Sequence, residues 1–97
     1  MPYIDPNERV EIDELIEGFV PADGGELQYA IARMVNSYYE RVDYESESGV
    51  RYKHMESIMG ALNGAALEHY RCVVAPYEEL KINQNGGVYD VRCGKSY

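Results

Sequence analysis

The sequence lacks tryptophan, has a single phenylalanine and contains only two cysteines among its 97 residues. Two cysteines are too few for a disulfide scaffold, so we interpret Cys72 and Cys93 as reduced thiols. No apolar run approaches the ~18 residues of a membrane span, and the basic-then-apolar pattern of a signal peptide is missing. These absences predict a small globular protein of the cytoplasm that has no membrane partner.

Basic residues are also scarce, since 9 Lys and Arg oppose 17 Asp and Glu and leave a net charge of −8. The imbalance lies in residues 1–50, which carry 12 acidic and 3 basic side chains, whereas residues 51–97 carry 5 and 6. Nucleic-acid binding depends on Lys and Arg displacing counterions, so this composition argues against it. The acidic half either keeps the protein soluble or forms a surface that imitates DNA or docks on a basic host protein.

Apolar residues recur at helical spacing along most of the chain. Asp5, Pro6 and Glu8 are typical of a helix start and predict a first helix over residues 6–18. The clearest amphipathic stripe predicts a second helix over residues 26–42, built on Leu27, Ile31, Met34, Val35, Tyr38 and Val42. A third helix is predicted over residues 51–75, with a kink at Pro76 and turns that could continue it to residue 84. Residues 88–91 are predicted to be extended.

The third helix is apolar or small on nearly every side. One face carries Met55, Met59, Leu62, Ala66, Val73 and Tyr77, and another carries Gly60, Gly64, Leu67, Arg71 and Val74. Gly60 and Gly64 each cost a helix interior about 1 kcal/mol relative to Ala, so a closely approaching backbone is expected there, from the same chain or from a second copy. The sequence therefore predicts one all-α domain over residues 1–97, with three to four helices and a short C-terminal extended segment, that forms a homo-oligomer through this central helix.

No combination of residues nominates a catalytic site. His69 and Cys72 could share a metal at i, i+3 spacing, but a closed zinc site needs about four ligands, so we interpret His69 as a core or interface histidine. Cys72 beside Arg71 could be an activated thiol, yet a cysteine inside a helix is more often a small core residue. We therefore predict a protein that is not an enzyme and has no metal or cofactor.

Tyrosine dominates the aromatic residues, with ten copies, and it suits surfaces where a ring is covered while its hydroxyl stays near water. Two groups combine rings with a guanidinium, which could stack on a nucleobase and pair with a phosphate. The candidate ligand residues are Tyr29, Arg33 and Asn36 on the second helix and Tyr70, Arg71 and Tyr77 on the third. The alternative for the first group is an ordinary solvated face.

Several of these segments resemble an uncharacterised family of small proteins from bacteriophages and prophages. The resemblance is carried by the opening MPYI with its acidic helix, by residues 25–33 and 67–71, by residues 74–78 and by residues 85–89. It implies a phage context, in which small oligomeric proteins interfere with host defence. We therefore hypothesise a counter-defence protein that sequesters a nucleotide-derived immune signal near subunit contacts. The alternatives are an acidic inhibitor of a host protein and a structural or accessory phage protein without a ligand.

Overall fold

The computed structural model describes residues 4–89, and in this part of the chain every regular element is helical. These elements are α1 (Pro6–Ile16), α2 (Gly24–Glu45), α3 (Tyr52–His69), a π-helical turn (Tyr70–Val74) and α4 (Ala75–Asn85). Because α3, the π turn and α4 follow one another without a break, the described residues form three continuous helices. The prediction of an all-α fold is confirmed.

The chain divides into two compact units, Met1–Gly64 and Ala65–Tyr97. In the first unit, α1 and α2 make at most a marginal contact with each other or with α3. Among residues 4–89 no side chain is fully buried, and many large apolar side chains of every helix stay exposed. The described part of the chain therefore has helices with apolar faces but no closed core.

Short side chains define where α1 and α2 begin. Asp5 accepts a hydrogen bond from the Asn7 N–H at 2.9 Å, which caps α1 as the sequence predicts. Asp23 accepts from the Glu26 N–H at 2.8 Å, and the Glu26 carboxylate in turn accepts from the Ala22 N–H at 2.9 Å. This reciprocal pair lets α2 begin at Gly24, two residues before the predicted start, and α2 also runs three residues beyond the predicted end.

A histidine side chain caps the start of α3. The His54 Nδ1 atom accepts a hydrogen bond from the Arg51 N–H at 2.9 Å and so satisfies a donor that the helix leaves without a partner. Further along the helix, the Ser57 hydroxyl donates to the Lys53 carbonyl one turn back. Gly49 precedes this start with a φ of 70°, a left-handed conformation that favours glycine.

Just before Pro76, where the sequence predicts a kink, the helix widens into the π turn. The Ala75 N–H donates to the carbonyl of Tyr70, five residues back, where an α-helix would use the fourth. A proline has no N–H and its ring clashes with the carbonyl four residues back, so one wider turn relieves both problems. The helix then continues to Asn85, one residue beyond the predicted extension, and ends at Gly86, whose φ is 83°.

The predicted extended segment falls only partly within the described residues. Val88 and Tyr89 form no strand, and residues 90 and 91 lie outside the described part of the chain.

Candidate ligand-binding groove

An open groove of about 820 Å³ lies in the second unit. The π turn and α4 supply its helical walls, and the chain that follows Gly86 closes one side. The side chains that give it chemical character are those of Tyr70, Tyr77, Glu78, Glu79, Lys81, Ile82 and Tyr89. Two of the predicted ligand residues, Tyr70 and Tyr77, therefore line the same groove.

The Tyr70 hydroxyl is held by a carboxylate of α4. It donates a hydrogen bond of 2.7 Å to Glu78 Oε1, eight residues further along the chain. This bond raises the pKa of Tyr70 above its ordinary value, because ionisation would lose the hydrogen bond and place a second negative charge beside Glu78. The phenol therefore stays neutral, and the Glu78 carboxylate already has a hydrogen-bond donor.

The Tyr77 ring lies under a cation. The Lys81 Nζ atom is 5.7 Å from the centroid of the ring, within the range of a cation–π contact. Tyr77 and Lys81 are four residues apart, so one face of α4 presents both. An aromatic ring and an ammonium group thus stand together on one wall of the groove.

Arg71, the third predicted ligand residue of this unit, does not line the groove. Its guanidinium pairs with the Glu68 carboxylate one turn back. The Cys72 thiol donates to the same carboxylate oxygen at 3.0 Å. The bond to Glu68 raises the pKa of Cys72 above its ordinary 9.0, which outweighs the opposing effect of Arg71. Glu68 therefore holds the thiol in its less nucleophilic, protonated form.

Tyr29, Arg33 and Asn36 belong to α2 in the first unit. They follow one another at i, i+4 and i+7, so they share one face of that helix. Tyr29 is exposed, and the Asn36 side-chain amide donates to Glu40 Oε1 at 2.6 Å. The face therefore presents a ring and a guanidinium on a regular helix.

The sequence did not nominate Glu78, Lys81 or Tyr89 as groove residues. Spacing could have suggested Lys81, because a lysine four residues after a tyrosine on a helix reaches back over the ring. Glu78 could not be found in this way, since its approach to Tyr70 crosses the π turn. Tyr89 lines the groove because the chain turns back at Gly86.

Residues 4–89 lack two further features, a cluster of metal ligands and a membrane-spanning helix. No group of three or more His, Cys, Asp or Glu side chains is arranged to hold a metal ion. None of the helices in this range combines the length and the apolar character needed to cross a membrane.

Comparison with known proteins places the chain in a family without an assigned activity. No curated protein and no solved structure matches the sequence. Residues 1–88 match a family described as a domain of unknown function (DUF6899). Since the match covers most of the sequence, this protein belongs to the DUF6899 family.

Proposed function

We propose that this protein is a non-enzymatic phage counter-defence protein that binds and sequesters a nucleotide-derived immune signal in the cytoplasm of the infected cell. The observation that supports ligand binding is the groove of the second unit, in which Tyr70, Tyr77 and the Lys81 ammonium are presented together. The phage context comes from the resemblance of residues 25–33 and 67–71 to small phage proteins.

The residues of the groove suit a ligand that combines a planar ring with a negative group. A nucleobase can stack on an exposed tyrosine ring, and such stacking contributes about 1–3 kcal/mol per base. Lys81 offers a point charge for a phosphate next to that ring. Glu78 already accepts a hydrogen bond from Tyr70, which reduces its repulsion of an anionic ligand.

The charge of the groove sets the class of ligand. Glu78, Glu79 and Lys81 leave it with one net negative charge. Like charges in a partly enclosed site repel a polyphosphate strongly. We therefore favour signals with large ring area and few phosphates, such as cyclic dinucleotides or ADP-ribose-type molecules, over ATP.

The test is isothermal titration of the full chain with a cyclic dinucleotide, an ADP-ribose-type signal and ATP. We expect heat from one of the first two and little from ATP. Tyr77→Ala and Lys81→Ala should each weaken binding about tenfold, whereas Tyr52→Ala, an exposed tyrosine of the first unit, should not change it. Absence of heat at roughly tens of micromolar protein would contradict the proposal.

We also propose that copies associate through α3, near Gly60 and Gly64. A Cβ atom built on either glycine meets nothing within 4 Å, so no other element among residues 4–89 approaches them closely. The sequence left two explanations for these glycines, close packing within the chain and contact with a second copy. The open space beside them favours contact with a second copy.

A second candidate function is inhibition of a host protein through α1. Every residue of α1 is exposed, and four acidic side chains on it oppose one basic side chain. An acidic helix of this kind suits a basic surface, and its affinity should fall steeply with ionic strength. Pull-down from host lysate at low and high salt separates the two functions, because stacking in the groove depends on Tyr77 and much less on salt.

A further inference from the structure

The apolar stripe of α2 repeats with the spacing of a coiled-coil seam. Leu27, Ile31, Met34 and Tyr38 are separated by four, three and four residues, which are the d and a positions of a heptad. Their exposed fractions are 48%, 41%, 60% and 40%. Neither α1 nor α3 covers this stripe, which we name the α2 seam, by more than a marginal contact.

The positions beside the α2 seam carry no charge. The e and g positions of the same heptads are Gln28, Ala30, Val35, Ser37, Val42 and Tyr44. In a solvent-exposed helix pair these positions are usually Glu or Lys. Ala30, Val35 and Val42 widen the apolar face, whereas Gln28 and Ser37 are polar but uncharged. The ring-plus-guanidinium residues Tyr29 and Arg33 occupy f and c positions, on the side away from the seam.

From this pattern we propose that the α2 seam binds the α2 seam of a second copy in an antiparallel, twofold-symmetric pair. Such an interface is self-complementary: if one residue of the first copy contacts a second residue of the partner, then that second residue of the first copy contacts the first residue of the partner. Pairing d with a positions in the antiparallel direction sets Leu27 against the partner's Tyr38 and Ile31 against the partner's Met34. All four seam residues then have an apolar partner.

Charge selects the antiparallel direction. Arg41 occupies the next d position after Tyr38. Parallel helices would place Arg41 against the partner's Arg41, and like charges at this distance repel. In the antiparallel register Arg41, which pairs with Glu45 of its own helix, lies level with the partner's Gly24, where no side chain obstructs it. The partner's Asp23 and the partner's Glu26, whose carboxylates accept backbone hydrogen bonds at the start of α2, keep negative charge near that guanidinium. The ends of the seam are therefore complementary as well as its centre.

The size of this contact is sufficient for a specific pair. α2 has 22 residues and is about 33 Å long. A helix laid along that length covers on the order of 600 Å² on each copy, and the resulting total lies at the lower end of the range for specific complexes. The inference is independent of the ligand proposed for the groove, since it uses only residues of α2.

Disulfide crosslinking of the full chain tests the register. In a background with Cys72→Ser and Cys93→Ser, the double variant Leu27→Cys/Tyr38→Cys should form covalent dimers under mild oxidation. The single variants should not, because neither position meets its own copy. The two cysteines cannot bridge within one helix, since eleven residues separate them by about 16 Å. Dimers from both single variants would overturn the antiparallel arrangement.

The native mass of the assembly tests the contact itself. Light scattering should give a multiple of 11.0 kDa for the wild type. Met34→Lys should weaken association at least tenfold, whereas Ala32→Lys on the same helix should leave the mass unchanged, with helicity checked by circular dichroism in both. A wild-type mass of 11.0 kDa, or a mass that Met34→Lys does not lower, would overturn the proposal. So would a different protein that co-purifies with the wild type and is lost in Met34→Lys.

Discussion

At the scale of single residues, Glu68 determines the behaviour of its neighbours. One carboxylate oxygen accepts from both the Arg71 guanidinium and the Cys72 thiol. The arginine is thereby removed from the groove, and the cysteine keeps its proton. Two residues that the sequence suggested for chemistry are thus held in a local network on one turn of helix.

The first prediction concerns the reactivity of Cys72. Glu68→Gln should lower the pKa of Cys72 towards 9.0 and increase its rate of alkylation at pH 8 several-fold, measured by mass spectrometry in a Cys93→Ser background. Glu78→Gln, which alters the contact to Tyr70 instead, is the control.

The raised pKa of Cys72 also makes the stability of the fold depend on pH. The pKa of Cys72 is raised in the folded state, so the hydrogen bond from its thiol to Glu68 stabilises the fold below pH 9.0. This contribution is lost as the pH rises through the raised pKa. An equal alkylation rate in wild type and Glu68→Gln would contradict both expectations.

The second prediction concerns the start of α3. His54→Ala removes the acceptor of the Arg51 N–H and should lower the free energy of unfolding by about 0.5–1 kcal/mol. Urea unfolding measures the loss, and amide exchange at Arg51 should accelerate. Lys53→Ala changes an exposed neighbour and should have little effect. If the two variants are equally stable, the hydrogen bond to His54 has no role in capping.

At the scale of whole elements, the π turn is the feature that a helical pattern could not reveal. It keeps the helix continuous across Pro76, so Tyr70 and Glu78 meet from opposite sides of the wider turn. A regular helix would rotate the residues after the turn and separate this pair. The groove depends on the one proline that the sequence marks as a disruption.

The third prediction is that Pro76→Ala converts the π turn into regular α-helix. The new N–H can reach the Cys72 carbonyl, and the helix should gain up to about 3 kcal/mol in stability. Amide exchange across residues 72–77 should slow, and the Tyr70–Glu78 hydrogen bond should be lost. Pro21→Ala, outside the helices, is the control. An unchanged bond from Ala75 to the Tyr70 carbonyl would show that proline does not cause the turn.

The fourth prediction addresses α3 as a surface. If a second copy approaches Gly60, Gly60→Leu should lower the mass of the assembly, measured by light scattering. Asn63→Leu adds the same side chain at another exposed position of α3 and should not lower it. The opposite result, an unchanged mass together with a higher melting temperature, would mean that the space beside Gly60 stays open in solution.

At the scale of the whole molecule, the absence of buried side chains among residues 4–89 is the dominant fact. A chain of this size must bury roughly two thirds of its unfolded surface to be stable. Apolar side chains of every helix remain available for this purpose. We therefore expect that each subunit reaches its stable fold only when it associates, and that it does not fold first and associate afterwards.

The fifth prediction follows from that expectation. Subunits that fold by associating should show a melting temperature that rises with protein concentration, because mass action stabilises the assembled state. Calorimetry over a roughly hundredfold range of concentration measures this rise. Met34→Lys should flatten the dependence. A wild-type melting temperature that is constant over the range would indicate that one copy is stable by itself.

Periodicity was sufficient to predict the helical elements, since apolar residues at helical spacing and the helix-start residue Asp5 are local signals. The boundaries were less predictable, because Asp23 and His54 act through hydrogen bonds whose geometry spacing alone does not specify. Of the six candidate ligand residues, Tyr70 and Tyr77 share a groove, while Arg71 is drawn to Glu68. Which neighbour Arg71 pairs with depends on side-chain conformation, which a linear pattern does not specify.

The sequence by itself determined the all-α class and the number of helices, because helix formation depends on neighbours three and four residues apart. It also determined the charge balance, from which we predict that the protein does not bind nucleic acid. Only the tertiary structure decided that the described helices leave their apolar faces open, that a π turn carries the chain past Pro76 and that Glu78 meets Tyr70 across that turn. These outcomes depend on contacts between turns and elements, whose energies are set by distance in space and not by separation along the chain.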